Sequence, residues 1–234
     1  MAAPQSKLWY LERINLFKEL EEEELEEVNK VAMMRSMDKG KYIYFPEEPS
    51  KVVFLLKEGR VKLGTYSEDG KEIIKAILEP GEVFGELAVV GQGKRNDFAQ
   101  AMDSNVKLCA INKDEMLRLM NLNPRLSLEM TKTIGDRLQR VERRLESLVF
   151  KDARNRIIDF IKYTALEKGR RVGDEWLLKH NLTHQDLANL TATSRQTVTI
   201  VLNELREKDL IYFDRKSILI HDIDSIWWVT LYIR

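Results

Sequence analysis

Ser194, Arg195 and Gln196 stand in a row where a polar stretch gives way to an amphipathic run, with Thr193, Thr197 and Thr199 around them. Ser194 or Thr193 can cap a helix starting there, and Val198, Val201, Leu202 and Leu205 then share one of its faces. Side chains of a capped first turn project from the helix end. A guanidinium at that place can bind O6 and N7 of guanine with two hydrogen bonds, and a carboxamide can do the same at N6 and N7 of adenine. The hydroxyls suit phosphate or base contacts. Upstream, Thr183 with Asp186 has the pattern of a capping box, and Leu187, Ala188 and Leu190 face inward. Only residues 191–193 separate the two helices, which makes them a helix-turn-helix. LIYF at 210–213, the turn DRKS and ILI at 218–220 then form a hairpin, a wing whose tip carries Arg215 and Lys216 for phosphate contacts.

A second constellation lies at GEVFGELAVV, residues 81–90, followed by Lys94, Arg95, Asn96 and Asp97. A glutamate such as Glu86 can accept from a hydroxyl, and an arginine such as Arg95 can pair with an anion, so the segment has the makings of a ligand pocket. Asp97 would repel a phosphate or neutralise Arg95, and a structural reading pairs those two residues with each other. The single cysteine, Cys109, excludes an intrachain disulfide framework, a four-cysteine zinc site and an iron-sulfur cluster held by this chain alone. Haem ligation would draw on Cys109, His180, His184 or His221, and the three histidines all fall in the helix-turn-helix half. No nucleophile-base pair, carboxylate pair or metal-ligand spacing supports an enzyme, and no cofactor is assigned.

The positioning elements follow from the hydrophobic pattern. At 234 residues, 44% of them hydrophobic, the chain can build two modest domains. Formal net charge is +0, and between Lys179 and Lys216 six Lys/Arg meet five Asp/Glu, so any basic footprint is local. Residues 8–33 read as short amphipathic helices, the acidic run at 21–24 lying on a solvated face. From Met37 to Ile111 short apolar runs at 42–45, 52–56, 60–66, 72–78, 98–102 and 106–111 are punctuated by Gly40, Gly59, Gly70 and Gly81, the texture of a β-sandwich or barrel. Asn112 with Glu115 resembles a capping box for a helix closed by Pro124. Then Ile134, Leu138, Val141, Leu145 and Leu148 repeat at spacings of 4, 3, 4 and 3, the seam of a helix that pairs with another helix. The tail from His221 is apolar enough to pack back on the body or to meet a partner. Nothing resembles a signal peptide or an uncharged run long enough to span a membrane, so a cytoplasmic chain is expected.

At TSRQTV, 193–198, with LxxxxLI at 205–211, and at the 81–90 segment, the sequence resembles the Crp/Fnr family, that of cyclic-AMP receptor protein and the fumarate-nitrate regulator. The resemblance runs from about residue 14 to 220, with the motifs in the family's order. It implies an α+β fold: a cyclic-nucleotide-binding-like β-roll over 1–125, a dimerisation helix over 126–150 and a winged helix-turn-helix over 151–234. It further implies a homodimer on a near-palindromic DNA operator, half-sites about 34 Å apart, with RNA polymerase as a further partner. Arg195 and Gln196 take the places of the family's base-contacting pair, the second of which is usually glutamate; Ile200 stands where the family has another arginine. The effector pocket would comprise Gly85, Glu86, Leu87, Arg95 and Asn96, with Val141 and Glu142 where cyclic-AMP-binding members contact the purine. The arginine is displaced by one residue, no serine follows it, and Val141 cannot hydrogen-bond a base. Cyclic AMP is therefore not the expected effector. A competing expectation is a ligand-binding signalling module whose helix-turn-helix serves protein assembly.

Overall fold

The structure, a computed structural model, describes residues 7–12, 14–214 and 216–226. Arg215 and the end of the apolar tail, 227–234, thus lie outside the described residues. The chain divides into two compact units, residues 1–140 and 141–234.

The first unit opens with helices α1 (Lys7–Leu11) and α2 (Glu22–Val31). Eight strands follow: β1 (Met33–Met37), β2 (Tyr42–Tyr44), β3 (Val52–Glu58), β4 (Val61–Tyr66), β5 (Glu72–Leu78), β6 (Val83–Phe84), β7 (Phe98–Ala101) and β8 (Val106–Asn112). They form two antiparallel sheets, ordered β1-β8-β3-β6 and β2-β7-β4-β5. The uninterrupted apolar runs in β3 and β8 have a simple cause: both faces of their sheet are covered. Alternate side chains serve different cores, as the period of two demands. Phe54, Leu56, Leu108 and Ala110 join Leu63, Leu78, Phe84 and Ala99 between the sheets. Val53, Leu55, Cys109 and Ile111 face a layer of Leu11, Phe17, Leu25, Val28, Met116, Leu119, Leu126 and Met130, all from outside the strands. Each such Leu or Phe, fully buried, stabilises the fold by about 1.5–3 kcal/mol.

Two local expectations are corrected. The β region begins at Met33 and not at Met37: residues 33–37 are strand and pair with β8 in register Met33↔Ala110 to Met37↔Val106. As an edge strand with Met33 and Met34 exposed, β1 has no alternating pattern to betray it. Helix α3 (Lys113–Leu122) is indeed capped by Asn112, whose Oδ1 accepts from Asp114 N at 2.9 Å. Glu115, however, takes the Nε–H of Arg118 at 2.8 Å and does not close a capping box.

Helix α4 (Pro124–Phe150) is continuous. Leu126 and Met130 are buried, and Ile134 packs against the helix-side core of the first unit. Beyond it Leu138, Val141, Leu145 and Leu148 are exposed, from 42 to 61%, in the single chain. Helix α5 (Ala153–Lys168) starts after two residues, its N-terminus capped by Asp152, whose Oδ1 accepts from Asn155 N at 2.8 Å. Strands β9 (Arg170–Val172) and β10 (Glu175–Lys179), helices α6 (His184–Thr191) and α7 (Arg195–Glu207), and strands β11 (Ile211–Phe213) and β12 (Ser217–Ile220) complete the second unit, its sheet ordered β11-β12-β10-β9. Ile157, Ile161, Leu178, Leu187, Val198, Leu202, Leu205 and Ile218 fill its core, and Ile226 is buried as well.

Candidate nucleic-acid interface and sensor pocket

The turn between α6 and α7 is fixed from both sides. Thr183 Oγ1 accepts from Asp186 N while Asp186 Oδ2 accepts from Thr183 N, the capping box the sequence announces. At the far end Ala192 takes φ 51°, a left-handed conformation costing a residue with a β-carbon about 1–2 kcal/mol. Arg156 of α5 offsets that cost: its Nε donates to Thr191 O at 2.9 Å and its Nη2 to Ala192 O at 3.0 Å. Nη1 of the same guanidinium donates to Lys151 O at 2.8 Å. Nothing local in the sequence marks Arg156 for this role, because its partners lie 35 and 36 residues away.

Ser194 then caps α7, its Oγ accepting from Thr197 N at 3.0 Å. Val198, Val201, Leu202 and Leu205 turn into the core, which leaves Ser194, Arg195, Gln196 and Ile200 exposed on the opposite side. The guanidinium of Arg195 and the carboxamide of Gln196 have no protein partner among the described residues, nor has the ammonium of Lys216. The hydroxyls are less free than the sequence suggests. Thr193 Oγ1 lies 3.0 Å from Thr191 Oγ1, Thr197 Oγ1 lies 2.7 Å from Ser194 Oγ, and Thr199 Oγ1 donates to Arg195 O at 3.0 Å. Asp214 orders the wing turn by accepting from the backbone N–H groups of Lys216 and Ser217, which hold its carboxyl below the usual range. A groove of about 800 Å³ runs beside this face, lined among others by His180, His184, Arg195, Phe213 and Asp214.

The sensor unit brings Gly85, Glu86 and Arg95 together, but not as an open pocket. Gly85 has φ +70°, and Glu86 and Arg95 are almost completely buried. The Arg95 guanidinium donates to Gly85 O at 3.1 Å and to Val52 O, and it lies 4.5 Å from the ring centre of Tyr44. Burial lowers its pKa. The expected pairing with Asp97 is not made, because the guanidinium is already taken by the carbonyls of residues 52 and 85. Asp97 instead accepts from Tyr44 O–H at 3.2 Å and faces Lys75 at 3.6 Å. Burial, then the Asp97 charge, pushes the Tyr44 phenol well above its ordinary value. Glu86 pairs with Arg137 of α4 at 2.6 Å, and Arg137 also donates to Val83 O at 2.7 Å. Leu87 and Asn96 are exposed, the Asn96 carbonyl accepting from Lys75. Val141 and Glu142 stand exposed on α4. Cys109 is buried, and burial raises its thiol pKa. Among the described residues no cluster of His, Cys, Asp or Glu could hold a metal ion, and no helix is long and apolar enough to cross a membrane.

A nucleotide-binding-type β-roll followed by a winged helix-turn-helix defines a class of regulators that couple a sensor to a DNA reader. Residues 34–123 match the cyclic nucleotide-binding domain and residues 155–226 the Crp-like helix-turn-helix domain. The chain is 30% identical to the global nitrogen regulator of a Nostoc species, over 81% of this chain and 85% of that one. It is 31% identical to the cyclic AMP receptor protein of Thermus thermophilus, over 84% and 87%. Among solved structures a CooA mutant from Carboxydothermus hydrogenoformans superposes with a TM-score of 0.77 at 27% identity, covering 87% of this chain and 89% of that one. The chain belongs to the Crp/Fnr family of transcriptional regulators. It is a DNA-binding regulator with an effector-sensing domain, not an enzyme.

Proposed function

We propose that two copies pair along α4 through Leu138, Val141, Leu145 and Leu148, and that the dimer reads a near-palindromic operator with one α7 in each of two successive major grooves. The observation that carries this reading is the capped first turn of α7, which holds Arg195 and Gln196 unpartnered and exposed while the other face of the helix is core. Arg195 selects guanine and Gln196 adenine; Ile200, 49% exposed, suits a thymine methyl. Ser194, Thr193, Thr197 and Lys216, with Arg215 beyond the described residues, contribute phosphate contacts. The heptad spacing and the exposure of the α4 stripe favour a second copy of the same helix as its cover.

The sensor does not take cyclic AMP in this reading. Arg95, the residue that would hold a cyclic phosphate, is committed to two backbone carbonyls, and Glu86, which would hold a ribose, is committed to Arg137. RNA polymerase as a partner rests on the family resemblance alone. The test is retardation of duplex DNA at low salt by the chain without nucleotide, with the dimer followed by analytical ultracentrifugation. Failure to retain any duplex overturns the reading. Regulation that survives Arg195→Ala with DNA binding lost favours an assembly role for the helix-turn-helix.

A further inference from the structure

His184 opens α6, beneath the first turn of α7, and its ring touches three things. Its Nδ1 lies 2.9 Å from Thr199 Oγ1, its ring centre is 6.1 Å from that of Phe213, and it lines the groove that Arg195 also lines. Thr199 has a single hydroxyl proton and donates it to Arg195 O, a carbonyl that can only accept. With that proton on Arg195 O, the Thr199 oxygen accepts from His184 in the tautomer that carries its proton on Nδ1. Nε2 is then the only titrating atom of the ring, and it has no protein partner among the described residues.

We infer that His184 is a proton-linked contact of the DNA-reading face: Nδ1–H holds Thr199 and the Arg195 carbonyl in place, and Nε2 takes up one proton when a backbone phosphate enters the groove. The inference rests on the DNA-reading role proposed above. In the free protein burial and then the Arg195 charge lower the pKa of the imidazole, which disfavours its charged form. The other ionisable groups facing it do not change this. Asp214 across the groove is tied to the Lys216 and Ser217 backbone, Asp186 on the same helix to Thr183, and His180 after β10 accepts at Nδ1 from Leu182 N. A phosphate reverses the balance, because its negative charge favours the imidazolium and supplies the acceptor that Nε2–H lacks. Binding that raises a pKa is tighter below the free value, and the gain disappears as pH rises through the bound value.

The test uses the full chain and a labelled duplex enriched by the wild-type protein from a random library. Dissociation constants are measured from about pH 5.5 to 8 at fixed salt, the range where imidazoles titrate. His184→Asn retains a donor near the Nδ1 position and cannot ionise. The wild-type protein should gain affinity over His184→Asn as pH falls, by up to about tenfold per pH unit, the limit for one proton. The imidazole resonance of His184 in the wild-type protein, followed by NMR, should titrate at higher pH with DNA than without, a readout independent of how the variant folds. A constant affinity ratio across the range, or an unmoved imidazole titration, overturns the inference while leaving DNA reading intact. If the wild-type protein enriches no duplex, the DNA-reading role falls first and this inference with it.

Discussion

The guanidinium of Arg95 occupies the space a side chain at Gly85 would need: a β-carbon there would come within 2.7 Å of Nη1 and 2.9 Å of Val52 O. With φ at +70° the position is doubly closed to other residues. Gly85→Ala is expected to lower the stability of the sensor unit by at least about 1–2 kcal/mol, the backbone strain alone, and to loosen Arg95. Arg95→Ala should cost about 1–3 kcal/mol by taking the guanidinium from two buried carbonyls, leaving Gly85 O with only the longer bond from Ala88 N at 3.2 Å. In a cyclic-phosphate site the same substitution would abolish ligand binding at little cost in stability. Calorimetric melting of both variants, with a cyclic AMP titration of the wild type expected to show no heat, separates the two roles.

Glu86 and Arg137 join the pocket loop to α4, so the contact a ligand would make is made from within the chain. Arg137→Ala strands a buried carboxylate. The expected cost is about 2–4 kcal/mol, below that of a fully buried pair because 24% of the Arg137 side chain is open to water. The double variant Glu86→Leu, Arg137→Leu should recover most of the loss, since the desolvation penalty disappears with both charges. A double variant as unstable as Arg137→Ala would mean that Arg137 acts through its hydrogen bond to Val83 O instead.

How far apart two partners lie along the chain decides what the sequence discloses. Strands β3 and β8 are readable as runs because two cores claim their alternate residues, and the α6–α7 unit is readable because its caps lie three residues from what they cap. Strand β1 is not, since its place is set by backbone pairing to β8, 69 to 77 residues away, and its side chains stay wet. The same holds within the sites. The types of Arg195 and Gln196 announce their chemistry, whereas Arg95 reads as an anion ligand or a partner of Asp97 until residues 52 and 85 are brought beside it. The Thr199 hydroxyl, expected to be available for DNA, is taken by His184 and Arg195.

Arg156 supports the reader without touching its exposed face. Its removal should leave the carbonyls of Thr191 and Ala192 without their donor just where the backbone is left-handed. Arg156→Ala is expected to destabilise the second unit by about 1.5–3 kcal/mol, the range for charge-assisted hydrogen bonds, and to weaken DNA binding on every sequence alike. Arg156→Lys restores the charge but not the fork, so it should recover only part of the loss. Full recovery with lysine would show that charge alone, not the two-carbonyl clamp, is what the turn needs.

The exposed stripe of α4 gives an independent prediction. Leu145 is 61% exposed and Val141 57%, values that suit a surface awaiting a partner. Leu145→Glu adds a charge at the centre of the seam without disturbing either unit's core, so each unit should melt as before while the dimer dissociates. Sedimentation should then report a monomer. A two-fold site loses one of its two readers when the dimer parts, so affinity for a palindromic duplex should fall by orders of magnitude while binding to an isolated half-site changes little. Arg195→Ala should behave differently: the dimer is expected to persist, affinity to fall by about 1–3 kcal/mol per reader, and discrimination to be lost at the base pair that Arg195 is proposed to contact. Lys216→Ala should weaken all sequences equally and reduce the slope of log K against log salt by about one per subunit. Those three patterns cannot be produced by one common defect in folding, so together they assign pairing, base reading and phosphate contact to different residues.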